Sequence, residues 1–255
     1  MKSPEILYHQ YSNKIYNLAY RMTGNRDDAH DITQETFIQA FKALDTFKGD
    51  SHVYTWLYKI ARNTCFRFLE KKKKANFQSL QELIDKTSSP VSEEIPEKEK
   101  WQYIMQVKDG CLSGLLRCLS LQQRLAFILN VLLDLPLEQV AAVIDKSVNA
   151  TRILVHRSRQ NIKNFLCKNC SLYNAQNPCR CENLINFSLK QNWIGLPDTS
   201  DTLEQAEREI KSLKSVIGLY KTLSEITPDN GLDKHIQQIL ADKKDFLILN
   251  DKKVK

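Results

Sequence analysis

Apolar residues recur every three or four positions over most of the chain, which is the spacing that lines one buried face of an α-helix. The first run starts at Pro4, a residue suited to the first helical turn because no amide hydrogen is needed there. Its apolar positions are Leu7, Tyr11, Ile15, Leu18 and Met22. Gly24 and Asn25 end the run, and Asn25 is predicted to cap the next helix with its side-chain oxygen.

Two more helices are predicted before residue 75, each with one apolar and one polar face. The second helix should bury Ala29, Ile32, Phe37, Ala40, Phe41 and Leu44. The third helix follows a polar loop at 47–53 and should bury Trp56, Leu57, Ile60, Ala61, Thr64 and Phe68. It runs into four consecutive lysines, Lys71 to Lys74. The pattern therefore predicts a helical N-terminal domain over residues 1–75.

The periodicity is lost over residues 78–100, where Pro90, Pro96 and a cluster of glutamates are typical of a linker. We therefore predict an acidic linker at 76–100. Helical spacing returns at Trp101, and Ser120 with Gln123 predicts a capping box at the start of a later helix. A second helical domain is expected over residues 101–166.

This second domain is predicted to contain a helix-turn-helix. Pro136 opens a short helix, Asp145 and Lys146 form the turn, and Ser147 caps a longer helix that ends near Asn164. Many helix pairs share such a pattern, so the spacing alone is weak support for DNA binding. The longer helix carries four candidate DNA contacts, Arg152, His156, Arg157 and Arg159.

The composition supports an all-α fold and excludes several classes of protein. Apolar residues make up 42% and charged residues 26%, with only 7 Gly and 7 Pro, so the chain is neither collagen-like, disordered nor a turn-rich β-barrel. No run approaches the roughly 18 consecutive apolar residues that span a bilayer, and no signal-peptide apolar region follows the first residues. We expect a cytoplasmic protein without membrane insertion.

The formal net charge of +7 is unevenly distributed. Residues 1–75 and 111–166 are basic, whereas residues 76–110 between them are acidic. Basic blocks suit nucleic acid, because the phosphates that they neutralise release counterions. A basic surface can also be merely solvated. Charge alone therefore leaves both interpretations open.

Four of the seven cysteines form the pattern C-x2-C-x8-C-x-C, at Cys167, Cys170, Cys179 and Cys181. Disulfides are not expected in a reducing cytoplasm. Four thiolates could close a tetrahedral zinc site, and the tight C-x-C half would also suit Cu(I). Structural zinc, a metal or redox sensor, and a motif without bound metal all stay open. The other three, Cys65, Cys111 and Cys118, are expected to be buried small apolar residues.

The rest of the chain divides into an irregular stretch and a helical extension. Residues 183–195 show no clear period within a cysteine-rich segment at 167–195. Helical spacing then returns over 196–255, at Leu203, Ala206, Ile210, Leu213, Ile217 and Tyr220, and again at Leu232, Ile236, Ile239 and Leu240. The predicted fold is all-α, with two helical domains joined by a flexible acidic linker and followed by a cysteine-rich helical tail.

Two motifs in the N-terminal domain carry a resemblance to a known family. The run Asp-Ala-x-Asp-x-x-Gln-Glu-x-Phe at 28–37 and the run Trp-Leu-x-x-Ile-Ala-Arg-Asn at 56–63 have the mutual spacing of bacterial RNA polymerase sigma factors of the extracytoplasmic-function group. Residues 115–165 resemble that family's C-terminal helix-turn-helix domain, and the acidic segment falls at its interdomain linker. The resemblance covers about residues 5–166.

The resemblance implies a transcription-initiation protein rather than an enzyme, with core RNA polymerase and promoter DNA as partners and no required cofactor. An anti-sigma factor is a further candidate partner. The polar face of the second helix, with Asp31, Gln34 and Glu35, is implied to dock on the polymerase; without the resemblance it would be an ordinary solvated face. The residues implied to hold and melt the minus-ten element are Tyr58, Lys59, Arg62, Asn63 and Arg67.

The loop at 47–53 resembles the family's loop that receives a flipped base. The four basic residues of the longer helix in the second domain are candidate minus-thirty-five contacts, to phosphates or to bases in the major groove. The family usually has glycine and an apolar residue in the turn, where this chain has Asp145 and Lys146. It usually has Lys-Ser-Arg in the recognition helix, where this chain has Arg152, Ile153 and Leu154.

Two functions of other classes are also compatible with the residues. A stand-alone helix-turn-helix regulator with a metal- or redox-sensing cysteine cluster would bind duplex DNA without polymerase. A thiol redox enzyme would need a reactive thiol beside a base, and no histidine lies within ten residues of the cysteine cluster.

Overall fold

The computed structural model describes residues 4–44, 47, 52–70, 72, 75–91, 95–191 and 193–195. In this part of the chain the regular structure is helical, apart from one isolated bridge between Cys170 and Cys179. The helices are α1 Pro4–Thr23, α2 Arg26–Lys42, α3 Val53–Glu70, α4 Phe77–Thr87, α5 Glu97–Arg117, α6 Leu121–Phe127, α7 Leu137–Ile144, α8 Val148–Asn169 and α9 Ile185–Lys190. None of these described helices is both long and apolar enough to cross a membrane.

The first three helices confirm the main N-terminal predictions. Every predicted apolar position of α1, from Leu7 to Met22, is buried. Gly24 turns the chain with φ of +71°, a conformation that glycine adopts without strain. The Asn25 side chain then caps α2 by accepting a hydrogen bond from the Asp28 amide at 2.8 Å.

The predicted buried faces of α2 and α3 are wrong at their edges. Phe41 is 36% exposed and Leu44 is half-buried, because α2 ends at Lys42 and both residues lie at the rim of the core. In α3 the predicted core residues Trp56, Ile60 and Phe68 are only half-buried. The buried positions of α3 are Thr55, Leu57, Tyr58, Ala61, Thr64 and Cys65. This face is broad because α3 packs against α1, α2 and α7.

Residues 77–87 form helix α4, so the predicted loss of periodicity from residue 78 is wrong for this part of the linker. Ile84 is buried, and the ring of Phe77 lies 5.6 Å from that of Phe165. The apolar spacing of α4 is present in the sequence, but it extends over only three turns. Helix α5 also begins at Glu97, four residues earlier than the pattern predicted.

The helix-turn-helix is present as predicted. Ser120 and Gln123 form the capping box at the start of α6. A π-helical turn at Ile128–Leu132, which the spacing did not reveal, extends α6. Helices α7 and α8 follow, and the Ser147 hydroxyl accepts a hydrogen bond from the Ala150 amide at 3.2 Å. Helix α8 continues to Asn169, beyond the predicted end.

The helices form two compact units that do not follow the order of the chain. One unit combines Met1–Asn76 with Ser113–Arg159, and the other combines Phe77–Leu112 with Gln160–Lys255. In the first unit α3 packs against α7, so the N-terminal helices and the helix-turn-helix share one core.

In the second unit, the cysteine-rich segment packs on the linker. Tyr103, Val107, Ile185 and Ile194 form its apolar cluster. The Ser89 amide donates to the Asn183 carbonyl at 2.9 Å, and the Asn186 side chain donates to the Pro90 carbonyl at 2.7 Å.

Part of the segment predicted as irregular is helical. Residues Cys181–Leu184 form a 3-10 turn that leads directly into α9. This stretch is too short to show a helical period in the sequence. The helices predicted in 196–255 lie outside the described residues.

One buried guanidinium joins three helices of the first unit. The Arg124 side chain, on α6, is only 6% exposed. It donates to the Leu116 carbonyl at 2.9 Å, to the Arg117 carbonyl at 2.8 Å and to the Met22 carbonyl. These carbonyls lie at the C-terminal ends of α5 and α1, where a helix has unpaired acceptors and partial negative charge. Burial lowers the pKa of Arg124 to about 10, with the nearby Arg117 charge as the second cause.

We expect Arg124→Met to lower the free energy of unfolding by about 3 kcal/mol or more, because several buried carbonyls lose their donor. Arg124→Lys should give an intermediate loss, since an ammonium cannot reach as many carbonyls as the planar guanidinium. Urea unfolding followed by circular dichroism measures both. Arg157→Met, at an exposed position of α8, is the control. Equal stability of Arg124→Met and the control would contradict the structural role.

Candidate nucleic-acid interface

Helix α2 presents the predicted polar face to solvent. Asp31, Gln34 and Glu35 are all exposed, and the Gln39 amide donates to the Glu35 carboxylate at 2.6 Å. The opposite side of α2 is core, because Ile32 and Phe37 are almost fully buried. This arrangement leaves a whole helix face available to a partner.

An exposed apolar residue that the sequence reasoning missed extends this face. Ile38 is 48% exposed and follows Gln34 and Glu35 by one helical turn. Nearby, the Tyr8 ring of α1 lies 5.0 Å from the Phe37 ring, and Tyr8 is itself 44% exposed. Position 38 follows the period of the polar face, so its spacing could have identified it. Apolar side chains surrounded by polar ones are typical of protein interfaces.

Helix α3 brings four of its five predicted DNA-binding residues to the surface of the first unit. Asn63 and Arg67 are exposed, whereas Lys59 and Arg62 are partly covered. Arg62 donates to the Asn63 side-chain oxygen from Nε at 3.0 Å and from Nη2 at 2.8 Å. The Asp145 carboxylate, in the turn before α8, accepts from Lys59 at 2.9 Å and from Arg62 at 2.7 Å.

The prediction that Tyr58 contacts DNA does not fit its place in the fold. Its side chain is only 4% exposed and lies in the core between the helices. Burial raises the pKa of its hydroxyl, with Tyr11 and Tyr54 as lesser causes. A buried ring cannot stack on an unpaired base. The prediction of one apolar and one polar face does not hold for α3, because this helix packs against α1, α2 and α7.

The predicted base-receiving loop lies largely outside the described residues. At the start of the loop, the ring of Phe47 lies 5.1 Å from the ring of the half-buried Trp56. The His52 and Tyr54 rings are stacked at 5.3 Å. An aromatic cluster therefore flanks the loop where it enters α3.

The recognition helix α8 exposes Arg152, His156 and Arg157, and leaves Arg159 half-buried. The guanidinium of Arg159 points towards the Asn130 side chain, whose oxygen lies 3.5 Å from Nη2. Arg159 is therefore partly directed into the domain. Ile153, which is 44% exposed, lies among the basic residues.

Two family models match the parts of the sequence that contain these surfaces. The model for Sigma-70 region 2 matches residues 7–75, and the model for Sigma-70 region 4 matches residues 109–162. The RNA polymerase sigma factor YlaC of Bacillus subtilis is 30% identical over 167 residues, which are 65% of this chain and 93% of that protein. The chain belongs to the RNA polymerase sigma factors. Its 31% identity to the ECF sigma-E factor of Escherichia coli, 86% of which it covers, assigns it to the extracytoplasmic-function group. It is a factor that directs transcription initiation with core RNA polymerase.

Two other relatives by sequence agree with this assignment. The sigma-E factor of Escherichia coli is 31% identical over 178 residues, covering 64% of this chain and 86% of that protein. SigE of Mycolicibacterium smegmatis is 30% identical over 176 residues, covering 67% of this chain and 64% of that protein. Among solved structures, CnrH in complex with the cytosolic domain of CnrY is 20% identical, with a TM-score of 0.47, over 64% of this chain and 86% of that one.

The cysteine-rich segment of this sigma factor is closed by backbone hydrogen bonds. Cys170 and Cys179 are paired in the isolated bridge, with the Ser171 amide donating to the Cys179 carbonyl at 3.0 Å. The Asn177 side chain donates to the carbonyls of Cys167 and Cys170, at 2.9 and 3.0 Å. Asn177 therefore stabilises the turn that follows α8.

Burial perturbs two of the four clustered thiols. Burial raises the pKa of Cys179 to about 11 and that of Cys181 to about 12, with the neighbouring Cys170 as the second cause in both. Among the described residues, no three His, Cys, Asp or Glu side chains are close enough together to hold a metal ion. Elsewhere, Cys65 is buried as predicted, whereas Cys111 and Cys118 are half-buried.

We expect Tyr58→Phe to open promoter DNA at the parent rate, because the hydroxyl of a core residue does not meet the strand. Tyr58→Ala should instead lower the free energy of unfolding by about 3–5 kcal/mol, as for other large-to-small core changes. Permanganate footprinting measures strand opening and urea titration measures stability. Slow opening by a fully stable Tyr58→Phe variant would contradict the core assignment.

Proposed function

We propose that this sigma factor docks on core RNA polymerase through the exposed face of α2, formed by Asp31, Gln34, Glu35 and Ile38. The observation that carries the proposal is the exposure of Ile38 within a polar face whose opposite side is core. A large aliphatic side chain contributes free energy when it is transferred from water into an interface. The surrounding polar groups provide directional contacts and limit wrong partners.

The proposal places promoter DNA on two further surfaces. Lys59, Arg62, Asn63 and Arg67 of α3 would hold the minus-ten region, with the loop at 47–53 receiving an unpaired base. Arg152, His156 and Arg157 of α8 would contact the minus-thirty-five region. These surfaces lie in the two basic blocks of the sequence, and cations of this kind neutralise phosphates without reading the sequence.

We expect the double substitution Gln34→Ala with Glu35→Ala to weaken binding to core polymerase about tenfold, equivalent to about 1.4 kcal/mol. Adding Ile38→Ser should weaken binding further. Fluorescence anisotropy with a labelled sigma factor and purified core enzyme measures the affinity.

The control is Gln78→Ala with Glu82→Ala, which also removes one exposed Gln and one exposed Glu from a helix. Thermal unfolding confirms that every variant is folded. Parent-like affinity of the α2 variants would contradict the docking proposal.

We also propose that Cys167, Cys170, Cys179 and Cys181 bind one zinc ion. The donor set suits a structural zinc site. A second feature, the buried Lys108 on α5, supports an anionic site. Lys108 is 5% exposed, and its ammonium lies 5.3 Å from the centre of the Trp101 ring. Within the described residues its charge is close to Cys170 and Cys181, but it forms no ion pair with a carboxylate.

A zinc ion bound by four thiolates carries a net negative charge, which would compensate the buried ammonium. The thiols would have to move closer together than they are in the described arrangement. The ion would supply structural order rather than chemistry. It would fix the turn after α8 relative to the linker residues with which the segment already packs.

We expect about one zinc ion per chain in protein purified without chelator, and none in the variant with Ser at the four clustered cysteines. Elemental analysis measures the content and would also detect copper. The matched control is Cys111→Ser with Cys118→Ser, which should keep the metal. A metal-free parent protein would contradict the zinc site and leave the sigma function intact.

A further inference from the structure

Asp145 holds together two cations from a distant part of the chain. Its carboxylate accepts from the Lys59 ammonium at 2.9 Å through one oxygen and from the Arg62 guanidinium at 2.7 Å through the other. Arg62 also donates to the Val143 carbonyl at 2.6 Å, at the end of α7. These three interactions, which we name the Asp145 contact, join α3 to the turn of the helix-turn-helix within the first unit.

The backbone of the turn gives Asp145 this position. Asp145 ends α7 in the left-handed region, with φ of 54° and ψ of 52°. Asp and Asn are among the few residues other than glycine that adopt this conformation readily. A glycine there would satisfy the backbone but would carry no carboxylate. The residue type at this one position therefore decides whether the contact exists.

The contact is ionic but open to solvent. The Arg62 side chain is 14% exposed, whereas Lys59 is 40% exposed and Asp145 is 56% exposed. Hydrogen bonding from Lys59 is the largest cause that holds the pKa of Asp145 below its usual range, with Arg62 adding to it, so the carboxylate is charged at neutral pH. Ion pairs that are partly in water are weak and screened by salt. The Asp145 contact can therefore be broken by a competing anion.

Lys59 and Arg62 are two of the cations that the proposed function assigns to promoter DNA. We propose that Asp145 competes with DNA phosphate for these two residues, so that the turn of the helix-turn-helix masks the DNA-binding face of α3 in the free sigma factor. This inference rests on the proposed function of α3. A phosphate gains these donors only when the Asp145 carboxylate releases them, because the carboxylate and the phosphate cannot accept the same hydrogen bonds.

The test is binding of the free, full-length protein to a fluorescein-labelled single-stranded DNA of random sequence at low salt. Phosphate contacts do not depend on sequence, so this probe reports on the cations alone. Asp145→Asn preserves the size and the left-handed backbone of the residue and removes its charge. We expect it to bind about fivefold tighter than the parent, or more, within the range of typical coupling between sites.

The matched control is Glu138→Gln, which removes one negative charge from an exposed position of α7. It should bind like the parent. Asp145→Gly is a second variant that removes the carboxylate and relieves the left-handed backbone, and it should also bind tighter. Circular dichroism and thermal unfolding confirm the fold of each variant.

One double substitution, made both in the parent and in the Asp145→Asn variant, separates this inference from the proposed function. Lys59→Ala with Arg62→Ala should weaken DNA binding in the parent and should abolish the gain in the Asp145→Asn background. If Asp145→Asn binds like Glu138→Gln while the double alanine variant binds weakly, the masking by Asp145 is wrong and the DNA face stands. If Asp145→Asn binds tighter and keeps this gain when Lys59→Ala and Arg62→Ala are added, the gain does not come from α3, and both the DNA face and the inference are wrong.

Discussion

The first unit depends on one buried positive charge that has carbonyl oxygens as its partners. Arg124 donates to the ends of α1 and α5, where the geometry of a helix leaves acceptors without an internal partner. An apolar residue at this position would remove a buried donor from all three carbonyls, although the Leu116 carbonyl would keep the Leu119 amide at 3.1 Å. The guanidinium thereby joins the matched region 2 to the matched region 4, which are far apart in sequence.

The sides of helix α3 face different surroundings within this unit. Leu57, Ala61 and Cys65 are in the core with α1 and α2. The side with Lys59 and Arg62 faces the turn after α7, and Asn63 is in water. A helix with so little free surface has few positions left for DNA contacts. This explains why Tyr58 was assigned to the wrong side: a simple two-sided model of the helix does not apply.

In the second unit the cysteine-rich segment is packed against the linker and hydrogen-bonded to it. Hydrogen bonds from Ser89 and Asn186 and the cluster around Tyr103 connect the linker to residues 183–194. The half-buried Cys181 packs against the same cluster. Metal binding or modification at this thiol would therefore alter the packing of the cluster that connects the segment to the linker.

The sequence by itself determined the helical class, the main α1 core, the Asn25 and Ser120 caps, and the helix-turn-helix. These are local properties: periodicity, capping and turn chemistry act within about one or two helical turns. The two motifs at 28–37 and 56–63 also identified the family, because their residues and their spacing are specific to it. The exposure of α2 was predictable for the same reason, since one apolar stripe defines the opposite face.

Only the tertiary structure decided which residues share a neighbourhood across long separations. Tyr58 is buried near Tyr11 of α1, and Lys59 is paired with Asp145 after α7, and no pattern within α3 encodes either contact. The Asp145 contact and the linker's partners arise in the same way, from residues more than eighty positions apart. The distances and angles of these contacts are fixed only when the helices assemble. The sequence therefore identifies which residues could form a contact, and the packing of the helices determines which of them do.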